Sequence, residues 1–166
     1  MIPFSAVARA TTGSRVVATN GFKITGLKTV AIKTDGGYLV TGEKRWPGNA
    51  TFADYHIVWA KNPAENNNIQ GFIVTKGSKG LHTSKIENKF SMPMVHNANI
   101  QYDRVFVPDH NRLTHAKDFA TGTNVVLEKS RLGVAWIEAG IAAGAYEAAL
   151  RYCLERKQFG KPIAKF

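Results

Sequence analysis

The sequence predicts an α+β fold, in which a small antiparallel β barrel or sandwich is followed by a long α-helix belonging to a helical bundle. Two patterns support this fold class. Between Ile32 and about Val107, short runs of alternating apolar and polar residues are separated by turns containing Gly, Asn or Pro. From about Asn124 onwards the chain is rich in Ala and Leu, and apolar residues recur at helical spacing with no proline before Pro162.

These patterns divide the 166 residues into three parts. Residues 26–115 form the β domain, residues 120–166 begin the helical domain, and the assignment of residues 1–25 stays open. The stretch before Asp35 contains no Asp or Glu but several Lys and Arg residues. That composition resembles an organellar transit peptide, and it also fits an ordinary domain start or a truncated or misjoined terminus.

The strands of the β domain follow one another with turn chemistry between them. A Gly-Gly turn opens one strand, the polar loop "NPAENNN" follows the next, and "KGSKG" closes a third before "PDHNRL" ends the sheet. The strands expected in chain order are "GGYLVTGEKRW", "DYHIVWAKN", "IQGFIVTKG", "LHTSKI" and "ANIQYDRVFV".

One long helix of about 34 residues, spanning about 50 Å, is expected from Asn124. Small residues around Gly140 and Gly144 permit close approach of another helix. A single helix cannot bury its apolar stripe alone, so a bundle completed by further helices or by another subunit is implied. Gly160 is expected to stop the helix, with Pro162 following.

Composition excludes several classes of site. No run approaches the roughly 20 apolar residues of a membrane span. The single cysteine, Cys153, cannot form an internal disulfide and lies in an apolar helical pattern that indicates packing. The five histidines lack metal-ligand spacing, so no metal site is expected.

The net charge of +10 favours an anionic partner. Because the basic residues are scattered without a nucleic-acid-binding motif, a phosphate-rich small molecule or a solvated basic surface is favoured over nucleic acid.

The segment "KRWPGNATFAD" interrupts the strand pattern and is the first candidate site. Pro47 lacks the donor that a strand ladder needs, and Gly48 is free to adopt positive φ. The backbone is therefore expected to bend and to present Trp46 beside exposed amides. On local features this is either a hairpin corner with a half-buried Trp or a flat aromatic wall beside a ligand.

Several motifs in order carry a resemblance to a known family. They are "GEKRWPGNATFAD", "GFIVTKGSKGL", "KIENKFSMPMVHNANIQYDRVFVPDHNRL" and "SRLGVAWIEAGIAAGAYEAALRYCLERKQFG". From about Gly26 to Phe166 the chain resembles the acyl-CoA dehydrogenase and acyl-CoA oxidase superfamily of flavoproteins. Within it the chain is most similar to the short-chain acyl-CoA oxidase and glutaryl-CoA dehydrogenase branch, and "KRWPGNATFAD" and "MVHN" favour the peroxisomal oxidases.

The resemblance implies an FAD-dependent α,β-desaturation of acyl-CoA thioesters in fatty acid β-oxidation. A carboxylate removes the α proton while the β hydrogen leaves as hydride to the flavin. Electrons would pass to dioxygen in an oxidase or to an electron-transfer flavoprotein in a dehydrogenase. The implied compartment is the peroxisome, with the mitochondrial matrix as the alternative, and the implied assembly is a homo-oligomer formed through the helical domain.

Two groups of residues inherit cofactor roles from this resemblance. Trp46 would lie along the flavin ring, and Pro47 and Gly48 would bring backbone close to the ring. Gly48 stands where many dehydrogenases place a Thr or Ser whose hydroxyl contacts the ring, so the backbone must supply that contact here. At the end of the long helix, Arg156 and Gln158 would hold the FAD diphosphate of a neighbouring subunit. Phe159 would pack near the adenosine.

Substrate-binding roles fall on Ser130 and Arg131, where Arg131 matches the arginine that supports the acyl-CoA pocket. A minority branch places the catalytic Glu at the position of Ser130, and most members place it well downstream of Phe166. The flavin-binding loop of the family should fall near Val16–Lys23, but "VVATNGFK" does not match it, and Gly21 is the one residue that could belong to it.

No catalytic residue is therefore assigned. We expect the chain to be a fragment inactive on its own, a divergent paralogue or the result of a faulty gene model. The alternative function is a non-enzymatic scaffold that joins full-length relatives through its helix.

Overall fold

The computed structural model describes the backbone of residues 16–19 and all of residues 27–166. The chain divides into two compact units, with the boundary between Val125 and Val126. Seven strands of the first unit fall within these described residues: β1 Val16–Thr19, β2 Val30–Thr34, β3 Gly37–Gly48, β4 Tyr55–Asn62, β5 Asn68–Thr75, β6 Leu81–Lys85 and β7 Asn97–Pro108.

These strands form one mixed sheet. β4 pairs with β5 in antiparallel register on one edge, and β1 and β2 share its other edge, both running parallel to it. The sheet continues from β2 through β3 and β7 to β6, and all of these pairings are antiparallel. The predicted β domain is thus confirmed as an open and mainly antiparallel sheet.

The sheet curves around a single core. The rings of Tyr38 on β3 and Phe72 on β5 lie 5.0 Å apart, although these two strands are not neighbours in the sheet. Phe72 also forms a bridge with Arg112, so β5 contacts the segment that follows β7. Most of the buried side chains in this core are small, β-branched or aromatic, as a half-buried pleated surface favours. They are Ala31, Tyr38, Val40, Ala50, Ala53, Val58, Ala60, Phe72, Val74, Ala98, Ile100, Tyr102, Val105 and Val107.

Two irregularities in the β3–β7 ladder shape the sheet. Between Val40 and Gly42 the register shifts by one residue, and on β7 Arg104 takes a positive φ of 48°. Opposite it, Gly42 has φ 145°, and a Cβ there would lie 2.6 Å from the Cα of Thr29. Only glycine fits this close approach of β3 to the chain before β2. The second irregularity, near Trp46, belongs to the candidate site.

The second unit is dominated by the helix α1, Thr123–Glu155, 33 residues long. Its start agrees with the sequence prediction. Many large apolar side chains along it are exposed in this chain: Leu132, Val134, Trp136, Ile137, Ile141, Tyr146, Leu150, Tyr152 and Leu154. Among the helices described, none combines the length and the apolar character that crossing a membrane requires.

The helix does not end where the sequence indicated. It stops at Glu155, and the chain then forms a two-stranded hairpin from β8, Lys157–Gln158, and β9, Lys161–Pro162. Phe159 and Gly160 occupy its turn with φ of 48° and 79°. Both positive values are those of a type I′ turn. The glycine therefore serves a hairpin turn rather than the helix terminus, which explains why the predicted stop was wrong by several residues.

Candidate functional site

A bulge in β3 creates the corner that carries Trp46. The register with β7 shifts between Arg45 and Gly48, so β3 has one more residue here than its partner. Trp46 takes φ 80°, an unusual value for a bulky residue. Its side chain is 46% exposed, and the guanidinium of Arg45 lies 5.3 Å from its ring. The sequence-predicted bend is confirmed, and it turns a large aromatic face outward.

The residues after Trp46 make the corner stiff. Pro47 is buried, and a Cβ added at Gly48 would lie 3.2 Å from Cγ1 of Val95. Asn49 takes φ 63°, and its backbone N–H donates to the carbonyl of His96 across 2.7 Å. Because Gly48 has no side chain, β3 can pass close to the loop that precedes β7.

Behind the corner, Lys44 is buried and 4% exposed. Its Nζ donates to the carbonyl oxygen of Trp59 across 2.9 Å. Burial lowers the pKa of Lys44 from its ordinary 10.5 to about 8, because the ammonium has lost most of its hydration. No sequence pattern singles out this lysine, since its partner lies on a strand that is not adjacent to β3.

A second lysine, Lys89, ties the loop before β7 to the corner. Nζ of Lys89 donates to Oδ1 of Asn97, and Nδ2 of Asn97 donates to the carbonyl of Trp46. The same Nζ donates to the carbonyl oxygens of Val95 and Met92, at 2.7 and 3.0 Å. Neither Lys89 nor Asn97 was identified from the sequence, although both lie in a motif that carried the resemblance.

The other group of predicted cofactor residues lies in the second unit. The backbone N–H of Arg156 donates to the carbonyl of Tyr152 on α1, and its carbonyl accepts from the N–H of Ile163. Arg156 is therefore held between the helix and the segment that follows the hairpin. Its side chain is exposed and forms no ion pair with any residue that the structure describes. Gln158 pairs with Lys161 in the hairpin ladder.

The hairpin turn is aromatic as well as basic. Phe159 is 91% exposed and meets the ring of Phe166 edge to face at 6.1 Å. Nζ of Lys161 lies 4.1 Å from the centre of the Phe166 ring. Arg156, Gln158 and Phe159 are thus neighbours on one small hairpin, where a guanidinium, an amide and an aromatic ring are presented together. Such a set suits a phosphate-bearing ligand with an aromatic base.

The predicted substrate residues lie on α1. Ser130 is exposed, and its hydroxyl donates to the carbonyl of Leu127 across 3.1 Å. Arg131 next to it is also exposed. A serine hydroxyl engaged with its own helix backbone has no base to deprotonate it, so Ser130 offers no catalytic proton acceptor.

Part of the expected flavin-binding loop has a defined conformation. Val16–Thr19 forms β1 and pairs with Tyr55–Val58 of β4. The rest of the predicted stretch, including Gly21, lies outside the described residues. Among the residues that are described, no three His, Cys, Asp or Glu side chains form a group that could hold a metal ion.

The residues present fit a flavin nucleotide. Trp46 offers an outward aromatic face on a stiff corner, and the Arg156 hairpin offers a cation that no described carboxylate neutralises. The aromatic face suits a flat ring, and the cation suits a diphosphate. The two groups belong to different units, and each fits its part of the cofactor by itself.

Comparison with known proteins identifies the lineage. The acyl-CoA dehydrogenase middle domain matches residues 18–105, and the acyl-CoA dehydrogenase C-terminal domain matches residues 121–166. The chain is 32% identical over 147 residues to benzylmalonyl-CoA dehydrogenase of Aromatoleum aromaticum, covering 88% of this chain and 39% of that protein. It is 31% identical over 148 residues to mitochondrial isovaleryl-CoA dehydrogenase of Arabidopsis thaliana, covering 88% of this chain and 36% of that protein.

Solved structures agree with the sequence relatives. Glutaryl-CoA dehydrogenase from Mycobacterium smegmatis superposes with a TM-score of 0.83 at 28% identity, covering 92% of this chain and 40% of that one. An acyl-CoA dehydrogenase from Bacillus anthracis complexed with FAD gives a TM-score of 0.74 at 30% identity, covering 90% of this chain and 27% of that one. The chain therefore spans less than half the length of these relatives. Both of its units match in the order expected from the sequence, and the chain belongs to the acyl-CoA dehydrogenase family.

Proposed function

We propose that the chain is part of an FAD-dependent oxidoreductase acting on acyl-CoA thioesters. The observation that carries this proposal is the Trp46 corner, where a strained backbone turns a large aromatic face outward instead of burying it. An exposed aromatic held by unusual backbone geometry is more simply explained by a ligand than by core packing. The family to which the chain belongs supplies FAD as that ligand.

Each predicted residue receives a role under this proposal. Trp46 lies against the isoalloxazine, while Pro47 and Gly48 set how closely the β3 backbone approaches the ring. Arg156 and Gln158 bind the diphosphate of an FAD held by a second copy, with Phe159 beside the adenosine. Ser130 and Arg131 line the approach of the acyl thioester.

When bound, FAD supplies the hydride acceptor for removal of hydrogen from the substrate. The residues of this chain then hold and orient the cofactor. They do not supply the base at the family position occupied by Ser130, because a serine hydroxyl is far too weak a base to remove the α proton of an acyl thioester. We therefore expect the 166-residue chain alone to show no turnover of butyryl-, hexanoyl- or glutaryl-CoA with added FAD and an artificial acceptor. Flavin-dependent product from this chain would contradict that expectation.

For the electron acceptor we propose an electron-transfer flavoprotein, with dioxygen as the alternative. The relatives quoted above are named dehydrogenases, and this supports the first option. The alternative rests on the oxidase-like "KRWPGNATFAD" and "MVHN" segments. Photoreduced flavin on the protein, mixed with air-saturated buffer, separates them: slow reoxidation supports the dehydrogenase, and rapid reoxidation supports the oxidase. The mitochondrial matrix accompanies the first option and the peroxisome the second.

A scaffold function is favoured by a different observation. The apolar side chains along α1 are exposed in the chain, as a helix that joins a bundle requires. A scaffold needs the helix but no cofactor. Purified protein tests the choice: a yellow oligomer with stoichiometric FAD supports the oxidoreductase, whereas a colourless oligomer that takes up no added FAD supports the scaffold.

A further inference from the structure

We propose that Lys89 and Asn97 are positioning residues that hold Trp46 in its outward conformation. This inference rests on the proposed function, since it concerns how the aromatic face is presented to the flavin. It assigns a role to two side chains that neither touch the proposed cofactor nor stood out in the sequence.

The backbone conformation of Trp46 needs support from surrounding residues. Trp46 takes φ 80°, a left-handed value that strains the backbone of a bulky residue. Pro47 has no N–H to contribute to the β7 ladder, so the ladder lacks one hydrogen bond within this bulge. A side-chain bond to the carbonyl of Trp46 is the direct substitute, and Asn97 provides it.

The hydrogen-bond donors and acceptors of Lys89, Asn97 and Trp46 match one another. A lysine ammonium can only donate, and the carbonyl of Trp46 can only accept. An amide placed between them must turn its oxygen to the lysine and its nitrogen to the carbonyl, as Asn97 does. The orientation of the Asn97 amide is thus set by the charge of Lys89. An Asp at this position would satisfy Lys89 but could not donate to Trp46.

Lys89 lies in the loop of residues 86–96. The large apolar side chains of this loop, Phe90, Met92 and Met94, are exposed, so burial of these side chains does not hold it. Lys89 instead gathers the carbonyl oxygens of Met92 and Val95 around its ammonium. One cation therefore fixes both the loop and the amide that holds Trp46.

The test compares four variants of the 166-residue chain with the wild type. Lys89→Met removes all the donors and keeps the apolar stem, and Lys89→Arg keeps the charge. Asn97→Asp keeps the contact with Lys89 and removes the donor to Trp46. Lys85→Met is the matched control, because Lys85 is an exposed lysine whose ammonium pairs with Glu87 at 3.2 Å. Amide hydrogen exchange of Trp46, Gly48 and Asn49 is measured without flavin, and FAD affinity is measured by fluorescence titration.

We expect Lys89→Met and Asn97→Asp to speed exchange at these three amides and to weaken FAD binding about three- to tenfold, as loss of one hydrogen bond predicts. Lys89→Arg and Lys85→Met should stay close to wild type in both measurements. Unchanged exchange in Asn97→Asp would overturn the inference, whatever FAD does. Faster exchange with unchanged FAD affinity would overturn the link to the flavin. If the wild type binds no FAD, the proposed function fails, and the exchange data still decide whether Lys89 and Asn97 hold the corner.

Discussion

At the scale of single residues, two lysines lie beside the corner. Lys44 of β3 is buried with a backbone carbonyl as its hydrogen-bond partner, and the partly buried Lys89 holds the loop that faces the corner. Both cations exchange water for carbonyl oxygens. Burial penalises a lysine more as its exposure falls, and Lys44 is the more buried of the two.

The burial of Lys44 predicts a specific pH dependence of stability. Its pKa is about 8 in the folded chain and near its ordinary 10.5 when unfolded, so the unfolded state binds the proton more tightly. The free energy of unfolding should therefore rise between about pH 8 and pH 10.5. Lys44→Met should remove this rise and stabilise the chain at neutral pH, on the order of 1–3 kcal/mol.

Urea denaturation across this pH range provides the measurement, with Lys85→Met as the exposed control. The Lys85→Met variant should show the same dependence of unfolding free energy on pH as the wild type. A Lys44→Met variant that still gains stability between these pH values would show that another group causes the rise.

The sequence identified Trp46 but not the residues that hold it. Pro47 and Gly48 are local signals, because each restricts or frees its own backbone. Lys44 and Asn97 act through partners 15 and 51 positions away along the chain. No local pattern marks such contacts, since they depend on which strands become neighbours.

At the scale of elements, the β3–β7 ladder is shaped by close approaches that require glycine. Gly42 combines φ 145° with a space that the Thr29 backbone already fills. The strand order was beyond sequence patterns, because alternation predicts strands without saying which edges pair. The helix end was missed for a similar reason: a Gly-Pro signal after a helical run is shared by helix stops and by hairpin turns.

Gly42→Ala tests the close approach. The new methyl group would clash with backbone at 2.6 Å, so the chain should lose on the order of 2–4 kcal/mol of stability. Gly77→Ala is the matched control, because Gly77 also has positive φ, 79°, but nothing lies within 4 Å of the added Cβ. It should cost about 1–2 kcal/mol. Thermal unfolding measures both, and equal losses would argue against a steric role for Thr29.

At the scale of the whole molecule, the proposal divides one cofactor site between two copies. Trp46 lies in the first unit and Arg156 in the second, and the exposed apolar side chains of α1 indicate a surface on which copies could associate. The sequence resemblance implied this sharing, whereas the family matches establish the lineage alone. Mixing variants can test the sharing directly.

Trp46→Ala and Arg156→Ala should each weaken FAD binding when studied alone, Arg156→Ala by roughly 1.5–3 kcal/mol for a charge-assisted hydrogen bond. If one FAD contacts Trp46 of one copy and Arg156 of another, mixed oligomers contain some sites with both residues intact. The mixture should then recover a fraction of tight sites in a calorimetric titration. A mixture that binds no more tightly than its separate components would contradict sharing between copies.

FAD binding to variants of Trp46 decides whether this residue is a flavin wall. We expect FAD to bind the wild type with quenched flavin fluorescence. Trp46→Ala should restore the fluorescence and weaken binding by on the order of 1–3 kcal/mol, and Trp46→Phe should lie between the two. If the wild type binds no FAD up to about 1 mM, or if all three proteins give the same affinity and spectrum, Trp46 is not a flavin wall.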